Sequence, residues 1–257
     1  MKKAASFALG CKVNQYESEA IAELFAEKGY EIVGIDEEAD VYVINTCTVT
    51  NFGDKKSRQL IRKVKRQNEN AIVAVVGCYA QTAPKELMEI AGVNLVIGTK
   101  DRAQIVEMVE QYDRANGVEN HVSDIMKERV FEPLSIQKLA NRTRAYLKIQ
   151  DGCSQYCSYC IIPYARGPIR SREPQEVVAE VKRLAKNGFK EVVLTGIHVA
   201  SYGKDRRDTS LLDILKQVHE VEGIERIRFS SIEPNVVTEE FAQTMAALPK
   251  VCDHFHL

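Results

Sequence analysis

Short apolar runs rich in β-forming residues alternate with helical patterns from the first residues onward, and this alternation restricts the fold more than any other feature. The runs are AASFAL (4–9), YEIVGI (30–35), VYVIN (41–45), IVAVV (72–76) and NLVIG (94–98). Helices are predicted near 16–28, 54–68, 84–91 and 101–112. Strands that alternate with helices build parallel βαβ units, so residues 1–114 are expected to form a doubly wound α/β sheet. The rhythm breaks over 115–141, a polar, mixed stretch that reads as a linker able to carry a strand or two. It resumes in 142–257 with AYLKIQ (145–150), EVVLTG (191–196) and RIRFSS (226–231), separated by helical patterns near 174–187, 210–221 and 238–247. HFHL, at 254–257, reads as the opening of a further strand, and the chain is expected to be the first part of a longer polypeptide.

Apolar residues make up 45% of the chain and charged residues 28%, a globular composition with material for a core. Net charge is -1, so a polyanionic partner would have to be held by a local patch rather than by a global field. No apolar run approaches membrane-spanning length, and the opening MKKAASFALGCK lacks the apolar core of a signal peptide. A cytoplasmic protein without a membrane partner is expected.

The seven cysteines then acquire meaning, because clustered thiols in a reducing compartment bind metal or do chemistry more often than they pair. Cys11 follows the first strand, Cys47 the third and Cys78 the fourth, each at a carboxyl end, where open α/β sheets place ligands. In one common doubly wound order, 2-1-3-4-5, those strands are neighbours about 4.8 Å apart, and the three thiols would converge. Buried structural thiols are the alternative. The second group, GCSQYCSYC, holds Cys153, Cys157 and Cys160 directly after the strand 145–150. Structural zinc requires four closed ligands, and no nearby fourth follows. Thiolates also hold iron–sulfur clusters, and three ligands on a four-iron cluster leave one iron open.

C-x-x-x-C-x-x-C after a first barrel strand, with Tyr159 before the last cysteine, resembles the radical S-adenosylmethionine (SAM) enzymes. The chain as a whole resembles their methylthiotransferase branch, through GCKVNQYESE, NTCTVTNFGDKKSRQLIR, VGCYAQ, RTRAYLKIQDGCSQYCSYCIIPYARGPIRSR, EVVLTGIHVASYG and RIRFSSIEP. GCKVNQYE, NTCTVTN with KKSRQ, and IQDGCSQYCSYC most resemble the enzymes that act on threonylcarbamoyladenosine in tRNA. Other branches act on isopentenyladenosine in tRNA or on a ribosomal-protein aspartate. The resemblance implies two 4Fe-4S clusters, an auxiliary one on Cys11, Cys47 and Cys78, and a SAM-binding one on Cys153, Cys157 and Cys160. It further implies replacement of the C2–H of a modified adenosine beside the anticodon by C–SCH3. One SAM would supply a 5′-deoxyadenosyl radical and a second the methyl group, with electrons from a donor such as flavodoxin or ferredoxin. A non-catalytic metal-binding module that docks RNA is the reading from another class.

By the same resemblance Tyr159 lies near the SAM adenine, and Thr195 and Gly196 near its amino group. Gly196 serves a tight turn equally well. Ser230, Ser231 and Glu233 end the third strand of the second domain and are candidates for ribose or sulfonium contacts. His198 is left without a role. For the tRNA anticodon stem-loop, KKSRQLIRKVKRQ (55–67) carries seven cations in thirteen residues and no acid. Such a run is usually a solvated helix face, but its single sign beside the Cys47 loop suits phosphate equally, through Lys55, Lys56, Arg58 and Arg62. Arg166, Arg170 and Arg172, following the second cysteine group, are expected to contact the RNA backbone.

Overall fold

The computed structural model describes residues 1–48, 51–136 (backbone alone at 51–54) and 144–257. It divides into two compact units. The first comprises Met1–Glu128, Glu132–Leu134 and Gln155–Gly167, and the second Arg129–Phe131, Ser135–Ser154 and Pro168–Leu257.

In the first unit, β1 (Lys3–Ala8), β2 (Glu31–Ile32), β3 (Val41–Thr46), β4 (Ile72–Gly77), β5 (Leu95–Ile97) and β6 (Glu119–Asn120) form one sheet in the order β2-β1-β3-β4-β5-β6. All its pairings are parallel. Alternate residues of a strand face opposite sides, and here both sides are covered. Tyr42, Ile44, Val73 and Val75 pack with Ile61 and Val64 of α2 (Asn51–Gln67) and Leu87 of α4 (Pro84–Met88). Val41, Val43, Ala74 and Val76 pack on the other face with Ile21 and Phe25 of α1 (Lys12–Glu27) and with Ile105 and Val109 of α5 (Ile105–Gln111). Every residue of β3 is therefore buried, which explains its continuous apolar reading. The unit also holds α3 (Cys78–Thr82) and α6 (Ile162–Arg166).

In the second unit, β7 (Arg144–Asp151), β8 (Arg170–Ser171), β9 (Glu191–Gly196) and β10 (Arg226–Phe229) lie in the order β10-β9-β7-β8. The pairs β7–β9 and β9–β10 are parallel, whereas β8 runs antiparallel to β7. The crossovers are α7 (Pro174–Lys186) and α8 (Leu211–His219), and α9 (Glu239–Ala246) follows β10. This is the β/α repeat of a partial barrel. Val177, Val181 and Leu184 of α7 and Ile214, Leu215 and Val218 of α8 are buried, as are Leu147, Ile149, Val192 and Leu194 of the strands. Ser210 caps α8 by accepting from the Asp213 N–H (3.3 Å), and Thr238 caps α9 by accepting from Phe241 N–H (3.1 Å).

The doubly wound sheet with its expected order and the barrel-type repeat are both present. Several local features differ, among them α6 and β8, which the sequence reading does not contain. The 30–35 run contributes only Glu31–Ile32 to the sheet, and α3 was not anticipated. β6 joins the first sheet from within the stretch read as a linker. The expected strand at 254–257 is absent: the parallel contact is a single bridge between Ile227 and Val251, followed by non-strand backbone to Leu257. No helix among the described residues is long and apolar enough to cross a membrane.

Candidate metal centre

Because β1, β3 and β4 are neighbours and parallel, the residues that leave their carboxyl ends share one rim of the first unit. Cys11 is the N-cap residue of α1, Cys47 follows β3 directly, and Cys78 opens α3. Glycine precedes two of them, with φ of +96° at Gly10 and +95° at Gly77. A Cβ at Gly10 would lie 2.6 Å from the Cys47 Sγ, so this close approach of two loops requires glycine. Asn14 stitches the rim: its Nδ2 donates to the carbonyls of Leu9 (2.7 Å) and Thr46 (2.8 Å). Thr46 Oγ1 in turn donates to the Val76 carbonyl at 2.6 Å.

Next to this rim lies a charge network in which Arg166, Arg102 and Glu17 are fully buried. Arg166 donates to Glu17 Oε1 from Nη1 (2.6 Å), to Glu17 Oε2 (3.1 Å) and Asn14 Oδ1 (2.5 Å) from Nη2, and to Cys78 Sγ from Nε (3.1 Å). Arg102 pairs with the same Glu17 carboxylate at 2.5 Å and with Glu132 at 2.5 Å. Burial pushes the Cys78 thiol up to about 11, opposed by the Arg166 guanidinium and reinforced by the neighbouring Cys11 and Glu17.

None of the seven cysteines is in a disulfide. Among the described residues no three His, Cys, Asp or Glu side chains are already gathered as a metal site. Cys11 Sγ points instead to Asn14 Oδ1 at 3.7 Å, and Cys78 to Arg166. The donor set nonetheless suits an iron–sulfur cluster: three thiols on adjacent strand ends, with a glycine cradle beside one of them.

In the second cysteine group, Gly152 turns the chain off β7 with φ +69° and Tyr156 adopts a left-handed φ of +50°. Cys153 is buried, Cys157 exposed and Cys160 half-buried, and Cys160 N–H donates to the Cys157 carbonyl at 2.9 Å. Tyr159 is 91% exposed. At the start of this loop, Gln150 Nε2 donates to the carbonyls of Asp151 and Gly152, both at 2.7 Å. Gln150 Oε1 accepts from His198 N–H at 2.8 Å. A Cβ at Gly196 would sit 2.6 Å from that same oxygen, so the glycine is required by packing whatever else it does.

Along the rim of the second unit, Thr195 is buried and its Oγ1 has no hydrogen-bond partner among the described residues. Ser230 is half-buried, Ser231 Oγ pairs with His256 Nδ1 at 2.6 Å, and Glu233 meets His198 Nε2 at 3.1 Å. His198, left without a role by the sequence, is thus fixed between Glu233 and Ser201 Oγ (2.6 Å).

The arginines after the second cysteine group, expected at the RNA backbone, are buried in this structure. Arg166, Arg170 and Arg172 are 0%, 3% and 4% exposed. Arg166 holds Glu17, Arg170 lies 3.7 Å from Asp151, and Arg172 pairs with Glu180 at 2.5 Å. A buried charge must be paired, so these guanidinium groups are spent internally. Helix α2 is different: Lys55, Lys56 and Arg62 are exposed, whereas Arg58 is half-buried on Tyr79 Oη (2.6 Å) and Glu86 (2.7 Å). An open groove of about 620 Å³ runs beside α2, lined by Phe7, Leu9, Lys56, Arg62, Lys63 and Arg66 among others. Phe7, near the end of β1, carries no local signal of a groove residue and is 37% exposed.

Two family models match successive parts of the chain. Residues 147–257 match the Radical SAM superfamily, and residues 3–98 match the uncharacterized protein family UPF0004. A solved radical S-adenosylmethionine methyltransferase, TsrM from Kitasatospora setae, shares the fold with a TM-score of 0.62 at 17% identity, over 96% of this chain and 58% of that one. The chain is 50% identical over its full length to the threonylcarbamoyladenosine tRNA methylthiotransferase MtaB of Bacillus subtilis, covering 57% of it. It is 40% identical to the Aquifex aeolicus protein of the same name, over 99% of this chain and 62% of the relative. A tRNA-2-methylthio-N(6)-dimethylallyladenosine synthase of Dictyoglomus thermophilum is 35% identical, over 96% of this chain and 57% of the relative. The chain spans somewhat more than half the length of these relatives.

The thiols should differ in reactivity in the metal-free chain. A thiol raised to about 11 is roughly one part in a thousand thiolate at pH 8, and Cys78 is also buried. Iodoacetamide labelling followed by peptide mass spectrometry should modify the exposed Cys11 and Cys157 well before Cys78. Equal labelling rates would contradict the described environment of Cys78.

Proposed function

We propose that the chain is the leading part of a radical SAM tRNA methylthiotransferase acting on N6-threonylcarbamoyladenosine beside the anticodon. In this reading 1–114 form the methylthiotransferase domain, 115–141 the linker and 142–257 the radical SAM core. The observation that carries it is the placement of Cys11, Cys47 and Cys78 on three adjacent strand ends, in a chain that also holds C-x-x-x-C-x-x-C after β7. Each trio would hold one 4Fe-4S cluster and leave one iron without a protein ligand. When bound, the clusters and SAM supply the radical chemistry and hold the sulfur that an inert aromatic C–H requires. Two SAM molecules are used, one as radical source and one as methyl donor.

The residues of the chain orient and protect these groups. Gln150 fixes the start of the Cys153 loop through its bonds to Asp151 and Gly152. Thr195 Oγ1, buried and unpartnered among the described residues, is a ready polar contact for SAM at the end of β9. Gly196, Ser230, Ser231 and Glu233 share its rim, and Tyr159, in the cysteine loop, would offer its exposed ring to the adenine. The tRNA would be met by the α2 groove, where Lys56, Arg62 and Arg66 offer charge for phosphates and Phe7 an apolar face for a base, with the exposed Lys55 on the same helix. The enzyme would work in the cytoplasm with a flavodoxin- or ferredoxin-type electron donor and a sulfur source.

The 50% identity to the threonylcarbamoyladenosine enzyme, against 35% to a dimethylallyladenosine enzyme, favours the first substrate. Mass spectrometry of tRNA nucleosides from cells lacking the full-length protein should show loss of 2-methylthio-threonylcarbamoyladenosine alone. Its persistence without a paralogue, or loss of the dimethylallyl product instead, would overturn the substrate.

The groove makes a separate prediction. Replacing Lys56, Arg62 and Arg66 together with Ala should weaken binding of an anticodon stem-loop RNA and reduce the slope of log affinity against log salt by roughly 2 to 3. Fluorescence anisotropy over a salt series measures both, and an unchanged slope would remove α2 from the interface.

A further inference from the structure

We propose that Arg166 is a positioning residue that sets the reduction potential of the auxiliary cluster through its N–H···S bond to Cys78, and that it ties the Cys157–Cys160 segment to that cluster. This rests on the proposed assignment of Cys11, Cys47 and Cys78 as ligands.

The guanidinium has three nitrogens, and all three are engaged. Nη1 and Nη2 form a fork on Glu17, Nη2 also reaches Asn14 Oδ1 at 2.5 Å, and Nε is directed at Cys78 Sγ at 3.1 Å. Only the planar guanidinium can hold a carboxylate with one edge and a sulfur with another; a lysine would offer a single point charge. Arg166 and Arg102 carry two positive charges against the negative charges of Glu17 and Glu132. A thiolate at Cys78 would add one negative charge beside this network, and the Arg166 Nε–H is aimed at it. Donors to ligand sulfurs and nearby positive charge stabilise the reduced, more negative state of a cluster and so raise its potential.

The place of Arg166 in the chain gives the contact a second consequence. It ends α6, within the segment Gln155–Gly167 that carries Cys157 and Cys160 and packs with the first unit. A second tether lies one residue away, where Thr99 Oγ1 donates to the Ala165 carbonyl at 2.7 Å. Two ligands of the SAM-binding trio thus sit on the same short segment as the residue that touches a ligand of the auxiliary trio.

The test is an anaerobic redox titration followed by electron paramagnetic resonance, on the reconstituted chain with Cys153, Cys157 and Cys160 changed to Ala, so that one cluster gives the signal. Arg166→Gln should make the auxiliary cluster harder to reduce by about tenfold, a shift of about 59 mV to more negative potential for a one-electron couple. Glu17→Gln, which removes a negative charge and leaves the arginine, should shift it in the opposite direction. Arg166→Lys, keeping the charge without the fork, should fall between Arg166→Gln and the unsubstituted background. If Arg166→Gln takes up no cluster, Glu17→Gln and Arg166→Lys still decide the matter. Unchanged potentials, or shifts of one sign throughout, would overturn the role of Arg166 while leaving the ligand assignment intact. A background that binds no cluster would instead overturn the ligand assignment, and this inference with it.

Discussion

Parallel pairing of β1, β3 and β4 is the constraint on which the candidate site depends. Parallel strands send all their carboxyl ends to one rim, and their adjacency brings the loops after Ala8, Thr46 and Gly77 within reach of one another. Three cysteines separated by dozens of residues then become neighbours without any special loop. What the loops must add is closeness, supplied by the glycine at position 10 and by the Asn14 side chain that bonds the Leu9 and Thr46 carbonyls. An antiparallel or reordered sheet would scatter the same thiols over two edges.

The second physical feature is the burial of charge next to that rim. Two arginines and a glutamate, all inaccessible to solvent, are costly to desolvate and are retained only because each is paired with good geometry. Apolar residues of similar volume would stabilise the unit at least as well. The network instead places a guanidinium nitrogen against a cysteine sulfur, which is a function no hydrophobic replacement can reproduce. The second unit repeats the habit, with Lys148 buried against Asp151 at 3.1 Å and Arg172 against Glu180 at 2.5 Å.

Much of this was legible in the sequence. The strands of the first sheet announce themselves because both faces are covered, which gives continuous apolar runs such as VYVIN and IVAVV. Cys11, Cys47 and Cys78 could be chosen because a strand end is a local property. The misreadings arose where burial is decided by distant residues. ARGPIRSR looks like a phosphate-binding surface, yet Arg166 finds its partner Glu17 across 149 positions, and no local pattern marks that pairing. The two-residue strands β6 and β8 are too short to show a period, and β8 carries an arginine whose partner is again remote. Phe7 reads as an ordinary strand residue until the groove beside α2 exposes it.

The proposed pair of four-iron clusters, one on each trio of cysteines, is tested most directly by metal content. Anaerobic reconstitution should give about eight irons and eight sulfides per chain, and about four of each when Cys11, Cys47 and Cys78 are all changed to Ala. A single zinc without sulfide, or an iron content indifferent to those three changes, would contradict the account.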